Sequence, residues 1–309
     1  MGFVTNRWQP VNTGPGPIPV PTWERVANGV TATTNFNFSN LDYTEYLILV
    51  YHRSTTTTLY EMFYAPEFGT ASQSAGYTNQ IIYLAPQSNS TLKFTVYEGS
   101  SSNSYDRTSN YRYIIYGRNK LAWSRASDQY VALPEYTELA TTGGYYTPFN
   151  YQDFDYRVGG GSRWIHYTSG YRPIFDGAVE QVYSNKYSGN PSVYTRLSSN
   201  EANWNHITST SSSVSIADIS YTEMFIVAKR MQHSYSGSNH RTFQSLYVIP
   251  DMVKGTYDTG GYTGEYSGTR YNGSYGSITT SATSISATCY LNVNGSPTYT
   301  FESLDIYYR

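Results

Sequence analysis

Five apolar residues occupy every second position from Ile285 to Val293, and Ser, Thr, Tyr and Asn fill the positions between them. Successive side chains of a β-strand point to opposite faces, so this alternation predicts a strand with one buried face. The same alternation recurs over 92–97. Gly, Pro, Ser, Thr and Asn dominate the rest of the chain and disfavour helix interiors. The sequence therefore predicts an all-β fold.

Two other segments, 46–51 and 224–228, are unbroken apolar runs. Short runs of this kind are typical of strands covered on both faces, such as the central strands of a sandwich. Turn-forming residues separate the predicted strands at short intervals, which favours β-sandwiches or barrels.

The composition excludes several classes of protein. Among 309 residues the formal net charge is −2, only 14% of residues are charged, and there is no basic run, so we expect no nucleic-acid partner. A single cysteine, Cys289, excludes a disulfide scaffold. No apolar stretch reaches about 18 residues, so we expect no membrane insertion. The 35 tyrosines and other aromatic residues supply ample material for a core.

An internal repeat organises the chain. The segments 23–118 and 199–309 share an ordered set of elements: a Trp, a Tyr-Thr-Glu tripeptide before an apolar strand, a Pro followed by an acid, an alternating strand and a closing Arg. The offset between equivalent residues grows from 178 at Tyr43 and Tyr221 to 191 at Arg118 and Arg309, as loop insertions would produce. Tyr-Thr-Glu also occurs a third time, at 136–138, without a following apolar strand.

This repeat predicts four regions. Residues 1–22 form an extended, Pro-rich N-terminal arm, which is either a flexible tail or an anchor that becomes ordered against a partner, and we take it as an anchor because Trp8, Ile18 and Val20 give it apolar groups to bury. Two antiparallel, jelly-roll-like β-sandwich domains follow at 23–118 and 199–309. They are joined by an aromatic-rich connecting region at 119–198, which is either a small β domain or an irregular connector. The Gly/Tyr-rich stretch 255–276 is interpreted as a loop extension of the second sandwich.

The sequence contains little that points to catalysis. There is no nucleophile-elbow, zincin or phosphate-loop motif, and the five histidines are scattered. We therefore predict no catalytic residue, no metal site, no cofactor and no enzymatic activity. Asp153 and Asp155 would share one face of a strand, where paired carboxylates could hydrolyse glycosides or bind calcium. Two solvated charges beside an aromatic ring are the simpler interpretation.

Aromatic and apolar side chains are the better candidates for binding, because Tyr combines a rigid ring with a hydroxyl group. The candidate interaction residues are Trp8, Ile18 and Val20 in the arm, Trp164 in the connecting region, and Tyr257, Tyr262, Tyr266, Tyr271 and Tyr275 in the Gly/Tyr-rich stretch. These tyrosines either bind a ligand or pack against the sandwich or a neighbouring subunit.

The ordered motif resembles β-sandwich modules of tailed-bacteriophage virion proteins, especially tail fibres and other receptor-binding or adaptor components. The resemblance rests on a Trp with a polar opening, Leu-x-Tyr-x-Glu at 41–45, Tyr-x-x-Pro at 247–250 and Ile-Tyr-Gly-Arg at 115–118, and it covers about two thirds of the chain. The second segment departs from it with Tyr-Tyr-Arg at 307–309. The resemblance implies a structural and binding role, often in a homotrimer, and brings no catalytic residue with it.

We therefore expect a structural virion protein, a tail-fibre, tail-tip or adaptor component. Its partners would be other virion proteins and further copies of itself, with a host-surface glycan as an additional candidate. It would be assembled in the host cytoplasm and be extracellular in the mature particle. Two alternatives remain: a capsid decoration or head-fibre protein, and an extracellular carbohydrate-binding module or glycan hydrolase.

Overall fold

The computed structural model describes 20–31, 36–54, 59–68, 73–77, 80–88, 91–100, 103–126, 163–165, 171–175, 179–184, 193–197, 204–233, 239–258, 263–266, 269–272, 274–291 and 299–309. The prediction of an all-β fold is confirmed, because the described residues form β-sheets that are antiparallel at every strand pair but one, and contain no α-helix. Two short 3-10 turns, Pro66–Phe68 and Thr108–Asn110, are the only helical elements among them.

The first strand set forms two sheets. Its strands are β1 (Glu24–Val30), β2 (Phe36–Phe38), β3 (Glu45–His52), β4 (Leu59–Tyr64), β5 (Gln73–Tyr77), β6 (Gln80–Ser88), β7 (Thr91–Ser100), β8 (Asn103–Asp106) and β9 (Tyr111–Arg118). One sheet has the order β1-β9-β3-β4 and the other β2-β7-β6-β5, with β8 paired to β7.

The last strand set repeats this arrangement. Its strands are β15 (Asn205–Ser209), β16 (Ser213–Ser215), β17 (Met224–His233), β18 (Asn239–Val248), β19 (Gly255–Asp258), β20 (Thr263–Tyr266), β21 (Thr269–Asn272), β22 (Ser274–Thr280), β23 (Ser284–Leu291) and β24 (Tyr299–Tyr308). The orders are β15-β24-β17-β18 and β16-β23-β22-β19. Leaving aside β8, β20 and β21, both sets have the order 1-8-3-4 in one sheet and 2-7-6-5 in the other.

The middle strands lie between these sets in the chain. They are β10 (Ser124–Ala126), β11 (Arg163–Ile165), β12 (Tyr171–Phe175), β13 (Val179–Ser184) and β14 (Val193–Leu197). Four of them form a sheet in the order β10-β14-β13-β12, while β11 pairs with β20 of the last set. A parallel contact between β4 and β19, at Leu59 and Tyr257, joins one sheet of each set into a single eight-stranded sheet, β1-β9-β3-β4-β19-β22-β23-β16.

The core explains why the run at 46–51 has no polar positions. On β3, Tyr46, Ile48 and Val50 belong to the core between the two sheets of the first set. Leu47 and Leu49 belong to a second core, which they share with the last set. Both faces of β3 are therefore covered, as the unbroken apolar run predicts.

The prediction of a loop extension at 255–276 is corrected by the structure. The described residues of this stretch lie in β19, β20, β21 and β22, and β20 and β21 form a hairpin inserted between β19 and β22. The sequence signal failed because these strands pair through polar residues. The hydroxyl oxygens of Thr256 and Thr279 lie 3.0 Å apart, and so do those of Ser277 and Thr288.

Candidate functional site

Charged residues at equivalent positions of the two repeated segments meet in the interior. Glu45 begins β3 and lies opposite Arg118, the last residue of β9, and the Arg118 guanidinium donates from Nε to Glu45 Oε1. In the last set, Arg309 N–H donates to the Glu223 carbonyl at 3.1 Å, and its Nε donates to Glu223 Oε1 at 2.6 Å. The same cross-strand pair of Glu and Arg is therefore built twice.

Two further ion pairs join these sites to each other and to the middle strands. Arg118 Nη1 lies 2.7 Å from Glu223 Oε2, linking the first and last sets. Arg196 on β14 binds both carboxylate oxygens of Glu45, at 2.6 and 3.2 Å. The ion pairs run continuously from Arg196 through Glu45, Arg118 and Glu223 to Arg309. We call these five residues the charge cluster.

A tryptophan lies over each arginine of the cluster. The guanidinium carbons of Arg118, Arg196 and Arg309 lie 4.3, 4.0 and 4.4 Å from the ring centroids of Trp23, Trp123 and Trp204, respectively. These are cation–π distances, and such contacts strengthen when the cation is desolvated. All three arginines are buried, so each indole both shields its guanidinium from water and attracts it.

The tryptophans also pack across strand sets. The Trp23 ring lies edge-on to Tyr247 of β18 at 5.9 Å, and its Nε1–H donates to the Tyr247 hydroxyl at 3.1 Å. The Trp123 ring lies edge-on to Phe63 of β4 at 6.4 Å, and its Nε1–H donates to Glu45 Oε2 at 3.2 Å. Aromatic contacts thus accompany both ion pairs that cross between sets.

The electrostatics of the cluster favour the charged form of Glu45. Burial alone would raise the pKa of its carboxyl, but the guanidinium groups of Arg118 and Arg196 outweigh burial and lower the pKa to about 2. A buried ion pair adds little net stability, because desolvation offsets the attraction. Removing one partner is costly, about 3–5 kcal/mol, because it leaves a buried charge uncompensated. The cluster is therefore suited to specifying which strands meet.

Burial also limits the chemistry of the cluster. Glu45 and Glu223 are 0% exposed and Arg309, the most exposed member, is 8% exposed, so no substrate reaches them. Within the described part of the chain there is no group of three or more His, Cys, Asp or Glu side chains that could hold a metal ion. The arrangement is suited to holding strands together.

A second polar group lies on β15 and β24. His206 Nε2 is 3.1 Å from Asp305 Oδ1, and the Thr208 hydroxyl donates to the same oxygen at 2.6 Å. Ser303 donates to the other carboxylate oxygen at 2.8 Å, and the His206 ring stacks on Tyr307. The Thr208 hydroxyl also lies 3.1 Å from His206 Nε2, so the hydroxyl, the ring nitrogen and the Asp305 carboxylate contact one another. The group is a cross-strand hydrogen-bond network.

Among the predicted interaction residues, Val20 and Tyr257 have described side chains, and both are buried. The structure corrects the prediction that Tyr257 lies on an interaction surface, because its side chain is fully buried in the core shared by the first and last sets. Its hydroxyl donates to the Val253 carbonyl at 2.6 Å, and burial raises the pKa of the Tyr257 hydroxyl. The prediction that Val20 lies on an interaction surface is also corrected, because other residues of the same chain bury its side chain.

The remaining candidates are placed only in part. Trp164 lies on β11 opposite Gly264 of β20. Tyr266, Tyr271 and Tyr275 lie on β20, β21 and β22, respectively, and the structure describes only their backbone. Trp8, Ile18, Tyr262 and the carboxylates of Asp153 and Asp155 lie outside the described residues.

Sequence reasoning did not identify the charge cluster as a site. A signal for it was present, because Glu45 and Glu223 occupy equivalent repeat positions and Arg118 and Arg309 close the two segments. In a chain with only 14% charged residues, charges that recur at repeat positions are candidates for a buried pair. The sequence offers no comparable sign that Arg196, from the connecting region, completes the contacts of Glu45.

Comparisons with known proteins do not assign the chain to a family. No family model matches it, and neither the curated proteins nor the solved structures contain a match. Across the described residues, no helix has the length and apolar character needed to span a bilayer.

Proposed function

We propose that the chain is a structural protein of a tailed-bacteriophage virion, a tail-fibre, tail-tip or adaptor component that mediates assembly and contributes to host-surface binding. Two features support this proposal: the ordered motif that resembles virion β-sandwich modules, and the all-β fold. The observation that carries it is the charge cluster, in which buried ion pairs join three parts of one chain.

The chemistry of the cluster favours a structural role over an enzymatic one. A catalytic site needs titratable groups that a substrate can reach. Here the carboxylates and guanidinium groups neutralise one another inside the protein, and indole rings cover the guanidinium groups. Such an arrangement fixes the relative position of strand sets, which a protein that transmits an assembly contact requires.

The low charge of the chain also supports a role in assembly. With 14% charged residues, large areas of surface can be buried against other subunits without desolvating ion pairs. Apolar area buried in this way stabilises an interface by roughly 25 cal/mol per Å², less the cost of ordering the partners.

Truncation of the N-terminal arm tests the proposal. Since Val20 is buried within the chain, the deletion removes residues 1–18 and leaves Val20 in place. We expect the truncated protein to keep the wild-type melting temperature and to be absent from purified particles. A full-length protein whose first 18 residues are scrambled serves as the control for arm length. Normal incorporation of the truncated protein would contradict the anchoring role.

Copy number and glycan binding separate the alternatives. Quantitative mass spectrometry of particles would give a dozen or so copies for a tail component and hundreds for a capsid decoration or head-fibre protein. Binding on a glycan array, followed by hydrolysis that is lost in Asp153→Asn and Asp155→Asn, would favour the carbohydrate-active alternative.

A further inference from the structure

We propose that the chain consists of three tandem units, 23–118, 123–196 and 204–309, that close into a ring around the charge cluster. Each unit begins at a Trp and ends at an Arg. The middle unit replaces the connecting region expected at 119–198. The inference is independent of the virion proposal, because it concerns how one chain assembles with itself.

The backbone register is the first argument. In every unit, the residue after the Trp pairs with the residue before the Arg. The three pairs are Glu24 with Gly117, Ser124 with Thr195, and Asn205 with Tyr308. The Trp and the Arg stand 95, 73 and 105 positions apart in the three units, so the shared register does not follow from a fixed spacing. It places each Trp beside its Arg, in the cation–π contact described above.

The contacts between units follow one rule. Arg196, at the end of the middle unit, binds Glu45 of the first unit. Arg118, at the end of the first unit, binds Glu223 of the last unit. In both contacts a unit binds the unit before it in a cyclic order.

The tryptophans obey the same rule. Trp123 packs on Phe63 of the first unit, and Trp23 packs on Tyr247 of the last unit. Phe63 and Tyr247 are equivalent positions, because they pair with Leu47 and Phe225, each two residues after the cluster glutamate. Two of three cyclic steps are therefore described, and they use equivalent residues.

The third step would place Arg309 against a glutamate of the middle unit. The backbone register makes Glu180 of β13 one candidate for this glutamate, because Glu180 pairs with Arg196 as Glu45 pairs with Arg118. The sequence nominates Glu138, in the third Tyr-Thr-Glu, which lies outside the described residues. The middle unit differs in chain order, because β12 precedes β13, whereas the hairpin partners of β3 and β17 follow them.

A ring closed by one chain changes the expected oligomeric state. Three similar units around one axis reproduce within a single chain the symmetry of a homotrimer. The expected species is then a monomer of 34.8 kDa, in place of the homotrimer that the family resemblance implies. Native mass spectrometry at micromolar concentration measures this directly, and a stable three-chain species would overturn closure by one chain.

Double-mutant cycles test the third step. Arg309→Met is combined with Glu180→Gln and, separately, with Glu138→Gln, and urea unfolding is measured for each single and double variant. We expect one of the two glutamates to couple to Arg309, changing the unfolding equilibrium constant by at least about fivefold relative to additivity. The matched control pairs Arg309→Met with Asp218→Asn, an exposed carboxylate, and is expected to be additive. Additivity for both glutamates would overturn the ring.

A conservative variant covers the case in which Arg309→Met does not fold. Arg309→Lys keeps the positive charge but loses the planar fork that binds a carboxylate through two donors. The same cycles with Arg309→Lys carry the same expectation of coupling to one of the two glutamates. Additivity with both would again overturn the third step.

Discussion

The Glu45 side chain contacts three buried partners in the charge cluster and beside it. Its two oxygens bind the guanidinium groups of Arg118 and Arg196 and accept the indole N–H of Trp123. These partners stand 73 to 151 positions away in the chain. One buried carboxylate therefore fixes the first strand set against the middle strands, and Glu223 links the first set to the last.

The pKa of Glu45 predicts a dependence of stability on pH. Because the folded protein holds this pKa near 2, below the ordinary value of 4.5, the stabilisation is present above pH 4.5 and is lost as pH falls toward 2. The difference corresponds to roughly 3 kcal/mol. We expect urea unfolding from pH 7 to pH 2 to show the gap between wild type and Glu45→Gln narrowing over that interval. A gap of constant size would contradict the assignment.

A single glycine explains why the two segments end differently. A Cβ on Gly117 would lie 2.6 Å from Cγ and Cδ2 of Tyr43, so no larger residue fits beneath that ring. The equivalent position in the last set is Tyr308, which is half-buried. Tyr-Gly-Arg and Tyr-Tyr-Arg are therefore two local packing solutions beside the same closing arginine.

At the scale of strands, the sequence predicts those elements whose burial follows a simple period. The alternation over 92–97 and 284–291 corresponds to β7 and β23, and the apolar runs correspond to β3 and β17. The strands β19 to β22 were not predicted because many of their cross-strand pairs are polar, such as Thr256 with Thr279 and Glu265 with Arg270, and leave no apolar period. Tyr257 was misplaced for the same reason, since nothing in its neighbours indicates a buried position.

The β20–β21 hairpin offers a test at this scale. In the first set, Tyr77 pairs with Gln80, so two residues close the hairpin of β5 and β6. In the last set, Asp258 pairs with Ser277, and 259–276 lie between them. Replacement of 259–276 by Asn-Gly, which favours the matching two-residue turn, also removes β20, the partner of β11, and the three β22 residues that pair with the end of β23. We expect a folded protein that loses no more than about 2 kcal/mol, because the pairing of β19 with β22 and the rest of the β22–β23 pairing remain.

Circular dichroism and urea unfolding of this variant provide the measurement. A variant that fails to fold would show that the inserted strands are needed by the sheets around them. If the tyrosines of the insertion bind a glycan, the folded variant would also lose that binding on an array, while the wild type retains it.

At the scale of the whole molecule, one core and one chain of ion pairs span separate strand sets. Leu47 and Leu49 of the first set share a core with the last set. The Glu61 carboxylate accepts the backbone N–H of Tyr247 on β18 at 2.8 Å, and the Tyr116 hydroxyl donates to the Asp251 carbonyl at 3.0 Å. The two sets are therefore packed together rather than linked only by the chain between them.

The contacts between sets were the part that the sequence could not predict. Apolar periodicity reports which face of a strand is buried, but it does not report which neighbour buries it. The ion pair between Arg118 and Glu223 joins residues 105 positions apart, and neither residue differs in local sequence from a solvated charge. The repeat suggested equivalent positions, whereas the cyclic contacts emerged only from the structure.

The most direct test of the charge cluster is urea unfolding of Glu45→Gln, with Asp42→Asn as the matched control at an exposed carboxylate nearby. Removing the Glu45 charge leaves two buried guanidinium groups without this partner, so we predict a loss of about 3–5 kcal/mol at pH 7. The control is expected to stay within about 0.5 kcal/mol of wild type. If Glu45→Gln unfolds at the same urea concentration as Asp42→Asn, the charge cluster does not hold the strand sets together.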